Sequence, residues 1–174
     1  MNGILDPKFS NEGTTEPVAL ADVKAPLELD GTYHDDFLND LITTARQYAE
    51  KYLNRSLIPR TLTVVIDNCE GGQLLPYGLV KGAITVTDSD GNTLDSEITG
   101  TGNFQYLKSP IGGPYTVTYA SDGYTTETLP KVIKMGIIQA VVYWFENRGD
   151  MGTLPALALN TMRYERVKDN LLFW

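Results

Sequence analysis

The only histidine of the chain, His34, stands beside Asp35 and Asp36, and the only cysteine is Cys69. One imidazole next to two carboxylates could ligate a metal or form an acid–base pair. Either use needs the side chains to converge, and successive positions at a helix start point in different directions. The segment reads instead as a solvated helix start, with both acids favoured by the positive end of the helix dipole. A His–Cys dyad would need His34 and Cys69 to meet, and nothing local supports that. A single thiol can form neither an internal disulfide nor a thiolate zinc site, so Cys69 reads as a small residue in or near a strand.

Asp88-Ser-Asp-Gly-Asn92 resembles the opening of a calcium loop, which needs glycine at its sixth position and glutamate at its twelfth. Here glycine follows the second aspartate directly and the twelfth position is Thr99. A β-turn is the better reading. Gly71-Gly72 and Gly112-Gly113 are turn signals, and neither precedes a helix in a phosphate-binding pattern. No Gly-x-Ser-x-Gly and no spaced carboxylate–histidine set occurs. The residues therefore define no catalytic constellation and no cofactor or metal site, and the chain is not expected to be an enzyme.

The elements that could position a surface are clearer. Residues 1–16 are rich in Asn, Gly, Thr, Glu and Pro and read as a loose arm. Val18 to Lys24 has short helical spacing and stops before Pro26. A long helix is expected from Tyr33 to Asn54. Leu38, Leu41, Ile42, Ala45, Tyr48, Ala49 and Tyr52 form its apolar stripe, while Arg46, Glu50 and Lys51 fall elsewhere on the wheel. From Thr61 to Tyr124 the chain is rich in Thr, Val, Ile, Tyr and Gly. Strands are expected at Thr61–Ile66, Ala83–Thr87, Thr93–Ile98, Phe104–Leu107 and Tyr115–Tyr119, with Asp88–Asn92 as a hairpin turn. Pro130 opens a second long helix that runs to Asn147, and a last helix is expected over 155–169. The fold class is α+β: an antiparallel helical bundle (17–58 and 128–174) with an inserted small antiparallel β-domain (59–127).

The helix after Pro130 has apolar residues nearly all round: Val132, Ile133, Met135, Ile137, Ile138 and Ala140 to Phe145. Such a helix must be buried on every side, and a domain this small has difficulty surrounding one. The β insertion could cover the remainder, but burial against another subunit is the expectation. The chain ends Leu171-Leu-Phe-Trp174, an apolar terminus that either folds back or docks on a partner.

Of 174 residues, 42% are apolar, enough for a core and against a disordered acidic chain. The 14 basic and 22 acidic residues leave a net charge of -8, which disfavours a protein that grips phosphate backbones but not one that DNA merely passes. Met1 to Thr15 has no apolar core of signal-peptide length, and Val132–Phe145 is too short to span a bilayer. A soluble, cytoplasmically made protein with no membrane partner is expected.

The order of parts resembles the head–tail connector, or adaptor, proteins of tailed bacteriophages. The residues that carry the resemblance start with Leu20-Ala-Asp-Val-Lys24 and Leu27-Glu-Leu-Asp30. They continue with Asp35-Asp36, Ala45-Arg46, Glu50-Lys-Tyr52 and Asn54-Arg-Ser-Leu-Ile58. Then come the Asp90-Gly91 turn and Val117-Thr-Tyr-Ala-Ser-Asp-Gly-Tyr124, one residue longer than the family's spacing. Leu129-Pro130 through Tyr143-Trp-Phe-Glu-Asn-Arg148 completes the series. The resemblance spans about residues 17 to 150, and the tail after Gly152 matches no family pattern. It implies a ring, usually twelvefold, that assembles under the portal protein in the virion neck after DNA packaging. Such a ring extends the DNA channel and presents a platform for a stopper or tail-completion protein. DNA would pass through without specific binding. On this reading the intersubunit interface comprises Leu38, Leu41, Ile42, Tyr48, Val132, Met135, Ile138, Val142 and Phe145. Leu171, Leu172, Phe173 and Trp174 would dock on the portal. The rival expectation is a sheet-based binding module on a virion surface, for carbohydrate or protein, using Tyr106, Tyr115, Tyr119 and Tyr124; cross-strand packing explains those rings more simply.

Overall fold

The computed structural model describes residues 7–67, 72–78, 80–101, 104–108, 113–148 and 151–166. They divide into two compact units: Thr14–Leu57 with 124–166, and Ile58–Gly123 with 7–13. The first is helical and the second is built of antiparallel strands, so the class is mixed α+β.

The helical unit contains α1 (Leu20–Lys24), α2 (Asp35–Leu53), α3 (Lys131–Glu146) and α4 (Ala156–Met162), followed by a 3-10 turn, Arg163–Glu165. On α2 the residues three and four apart are the buried ones: Leu38, Leu41, Ile42, Ala45, Ala49 and Leu53. Asn54 ends the helix in the left-handed region at φ 51°, a conformation its short polar side chain tolerates. Ile133, Ile137, Ala140, Val141 and Trp144 of α3 complete the same core. Each large side chain buried there contributes roughly 1.5–3 kcal/mol. Trp144 is wholly buried and donates from Nε1 to the Thr153 carbonyl at 3.2 Å. Short α1 is held to α3 by the Lys134–Asp22 ion pair at 2.7 Å.

The second unit contains β1 (Lys8–Ser10), β2 (Arg60–Ile66), β3 (Gln73–Leu74), β4 (Val80–Thr87), β5 (Glu97–Thr101), β6 (Phe104–Lys108) and β7 (Tyr115–Ser121). They form a four-stranded sheet in the order β1-β2-β7-β4 and a three-stranded sheet in the order β3-β6-β5, with every pair antiparallel. Buried and half-buried residues alternate along β2, as expected where one face of a sheet is covered. Its pairs Leu62↔Tyr119, Val64↔Val117 and Ile66↔Tyr115 supply most of the core between the sheets.

Three sequence expectations differ from the structure. Part of the segment read as a loose arm is ordered: β1 pairs with β2, and Glu12 reaches Arg60 at 3.4 Å. The Asp88–Asn92 turn leads to a single bridge, Thr87↔Thr93, rather than a strand beside β4; β5 starts at Glu97 and pairs with β6 instead. The last helix is regular only to Met162 and tightens into the 3-10 turn.

Candidate interaction surface

The residues that could do chemistry are engaged locally. The His34 ring packs edge-on against Tyr33 at 4.8 Å and Phe145 at 5.2 Å, and Asp35 pairs with Lys24 at 2.7 Å. Among the described residues no group of three or more His, Cys, Asp or Glu is placed to hold a metal. Cys69 lies outside them. Asp88 accepts from the backbone of Asp90 (2.9 Å) and Asn92 (2.8 Å) and from the Asn92 side chain (3.0 Å). The hydrogen bonds from Asn92 hold its carboxyl below the ordinary carboxylate value. This is an Asx-type turn, with the Asp side chain holding the loop together.

The polar pattern after Ala45 has a structural role that the helical wheel did not reveal. Arg46 and Glu50 are buried, contrary to their placement off the apolar stripe. Arg46 donates from Nε to Glu16 and from a terminal nitrogen to Glu50, both at 2.8 Å. Burial alone would lower the Arg46 pKa, but its bond to Glu16 and the charge of Glu50 outweigh that and raise it. The other Glu50 oxygen accepts the Leu57 N–H at 2.7 Å. Arg55, also buried, donates to the Glu165 carboxylate (3.2 Å) and carbonyl (3.0 Å) and to the Tyr124 hydroxyl (3.4 Å). The Ala-Arg, Glu-x-Tyr and Asn-Arg-Ser pieces therefore fix the end of α2 and the turn after it. The only advance signal was that charged residues sat at fixed offsets beside the stripe.

Gly123-Tyr124 is equally structural. Gly123 has φ +63°, and a Cβ there would lie 2.3 Å from the Ile58 carbonyl carbon. Tyr124 N–H donates to the Leu57 carbonyl at 2.9 Å.

The expected interface residues separate into two groups. Leu38, Leu41 and Ile42 are core residues of the helical unit. Tyr48 is half-buried; its hydroxyl donates to the Gly152 carbonyl at 3.1 Å and its ring meets Trp144 at 5.8 Å. The three aliphatic residues are committed within the chain, while Tyr48 keeps part of its ring at the surface. On α3, Val132 and Met135 are exposed, and Ile138, Val142 and Phe145 are half-buried, with Tyr143 exposed beside them. The all-round apolar helix is thus covered on one side by its own unit and retains an uncovered apolar stripe. Leu171, Leu172, Phe173 and Trp174 lie outside the described residues. Of the tyrosines considered for a stacking platform, Tyr115 and Tyr119 are core residues, which leaves too few rings for that use.

In this helix-and-sheet chain the charged residues of the Ala45–Arg55 pattern are spent on internal structure, and α3 keeps exposed apolar side chains. Residues 17–101 match the model of the phage gp6-like head-tail connector protein family. That match covers just under half of the chain, and over those residues the chain is similar to that family. No curated protein matches the chain by sequence. Solved structures match it along nearly its whole length. A chain in a structure described as the neck of an empty gene transfer agent particle, computed with C6 symmetry, has TM-score 0.70 at 18% identity, covering 96% of this chain and 98% of that one. A chain from the virion of a native gene transfer agent particle has TM-score 0.70 at 15% identity, with coverage of 95% and 98%. A chain from the neck of a native particle, computed with C12 symmetry, has TM-score 0.64 at 17% identity, with coverage of 94% and 97%. At these identities the likeness is one of fold. Among the described residues no helix is long and apolar enough to cross a membrane.

Proposed function

We propose that the chain is a subunit of a head–tail connector ring in the neck of a phage or phage-like particle, made in the host cytoplasm. The ring binds below the portal protein, extends the DNA channel and offers the docking platform for a stopper or tail-completion protein. The helical unit serves as an antiparallel bundle, and the sheet unit as an insertion into it. The observation that carries this reading is the end-to-end correspondence, 96% of this chain to 98% of the other, with a chain in a particle neck. Neck structures computed with C6 and C12 symmetry fit a closed ring of identical copies, with twelve as the expected number. The stripe on α3 that runs from exposed Val132 and Met135 to half-buried Ile138, Val142 and Phe145 is the surface offered to a neighbouring copy. Leu171 to Trp174 serve the portal. A net charge of -8 suits a channel that lets DNA pass without holding it.

Electron microscopy of the purified protein mixed with the portal of its own particle tests the reading. A ring seated on the portal is expected. A chain that neither binds that portal nor forms a ring overturns it.

A further inference from the structure

Five of the eight large apolar side chains exposed among the described residues lie on two neighbouring elements. They are Val132 (42% exposed), Met135 (52%) and Tyr143 on α3, and Leu157 (63%) and Tyr164 (84%) on α4 and its 3-10 extension. The two helices approach closely where Gly136 faces Met162: a Cβ on Gly136 would lie 2.4 Å from the Met162 side chain. Thr161 donates to the Gln139 side chain at 2.8 Å. That bond and the Gly136–Met162 approach place the Gln139 flank of α3 beside the Thr161 flank of α4. Gln139 lies on the flank of α3 shared by Met135, Val142 and Tyr143. Thr161 lies on the flank of α4 shared by Leu157 and Tyr164, one turn away on either side. The exposed residues therefore form one continuous two-helix ridge.

The opposite flank of α4 faces α2. There Leu154 and Leu159, with Tyr48 and Tyr52, line a groove of about 280 Å³ edged by Lys51 and Thr153. The two phenols are fixed by bonds to the Gly152 and Leu159 carbonyls, so the groove presents ring faces and aliphatic carbon rather than unpaired hydroxyls. A wider groove along α1 is edged by Lys24, Glu28 and Asp30, a poor match for an apolar ridge.

We infer that the ridge formed by α3 and α4 of one copy seats in the α2–α4 groove of the next copy around the ring. This rests on the ring reading above and names the two halves of its interface. A twofold dimer uses the same patch on both partners, whereas a closed ring of more than two copies needs two different patches on each chain. The helical unit carries two different apolar patches, one on either flank of α4. A ridge alone would fit an isologous dimer equally well, and the groove is what makes head-to-tail closure possible.

Cross-linking of the assembled protein tests the pairing. In a Cys69→Ser background, Leu157→Cys marks the ridge and Lys51→Cys marks the groove edge. Both sites are exposed, and an unchanged thermal melt confirms the fold. With the portal present and a short bismaleimide added, a chain carrying both substitutions should give a ladder of covalent multimers. A mixture of the two single variants should give only a dimer containing one of each, and each single variant alone should give none. Self-cross-linking of the Leu157→Cys protein overturns the pairing, because the ridge would then meet itself. Rings visible by microscopy but lacking cross-links overturn the pairing and leave the ring reading standing. Absence of any ring in the unsubstituted protein overturns the ring reading itself.

Discussion

Where the chain enters and leaves the sheet unit, Gly123 has no room for a side chain. A methyl group there would press on the Ile58 and Pro59 backbone at 2.3–2.6 Å, with φ already at +63°. Gly91, at φ +85°, has nothing within 4 Å. Gly91→Ala should therefore cost only the left-handed penalty of about 1 kcal/mol, whereas Gly123→Ala should cost about 3 kcal/mol or more; urea denaturation of both variants separates the two. The buried pair of Arg46 and Glu50 gives a second expectation. Glu50→Ala leaves Arg46 facing only Glu16 and frees the Leu57 N–H, so a loss of roughly 3 kcal/mol is expected. Removing both charges, as Arg46→Met with Glu50→Leu, should cost less than the sum of the single losses, and a double-mutant cycle measures the difference. Tyr119 supplies a pH dependence. Its hydroxyl donates to the Pro76 carbonyl at 2.5 Å, and burial pushes its pKa well above the ordinary 10.0. The folded chain keeps this proton where the unfolded chain loses it, so the associated stability is complete below pH 10 and declines as pH rises above it. Tyr119→Phe should lose about 1 kcal/mol at neutral pH and show a shallower alkaline decline than the parent in parallel denaturation series.

At the scale of elements, α3 divides into a buried face that folds the chain and a partly exposed apolar stripe that the proposed function gives to assembly. Met135→Glu, at an exposed site, should change folding stability by no more than about 0.5 kcal/mol yet remove the protein from rings on the portal. Ile137→Glu, two residues on and fully buried, should instead unfold the helical unit. Circular dichroism melts read alongside microscopy tell the two outcomes apart. The same helix marks how far the sequence could be read. The three-to-four spacing of α2 and the alternation along Thr61–Ile66 and Tyr115–Tyr119 are local signals, and those elements lie where the patterns place them. Composition alone could not divide the all-round apolar α3, because its covered side is chosen by α2 and α4. β1 and β3 hold only three and two residues, too few for a period, and exist through pairing with distant strands. Arg46 and Glu50 followed the same logic: their positions on the wheel were plain, but their burial depends on Glu16 and on the turn after Asn54. The connector motif was legible as spacing, and its physical content, a buried ion-pair network and a glycine with no space for a methyl group, emerged only in three dimensions.

At the scale of the whole molecule, the proposed function gives two apolar segments different partners. On the proposed reading the ridge on α3 and α4 of the helical unit meets like copies. Leu171-Leu-Phe-Trp174 is an apolar run, and burying even half of it against a partner would remove enough nonpolar surface from water to stabilise a complex by several kcal/mol, at about 25 cal/mol per Å². If the two regions serve different partners, they must fail independently. Deleting Leu171 to Trp174 should leave the thermal melt unchanged and leave copies able to cross-link to one another. Binding to the portal should weaken at least tenfold, as about 1.4 kcal/mol would produce, when measured by interferometry on immobilised portal. A deletion that lowers the melting temperature by several degrees would instead make the tail part of the core. A deletion that abolishes cross-linking between copies while sparing portal binding would reverse the two assignments, giving the tail to the neighbouring copy and the ridge to the portal.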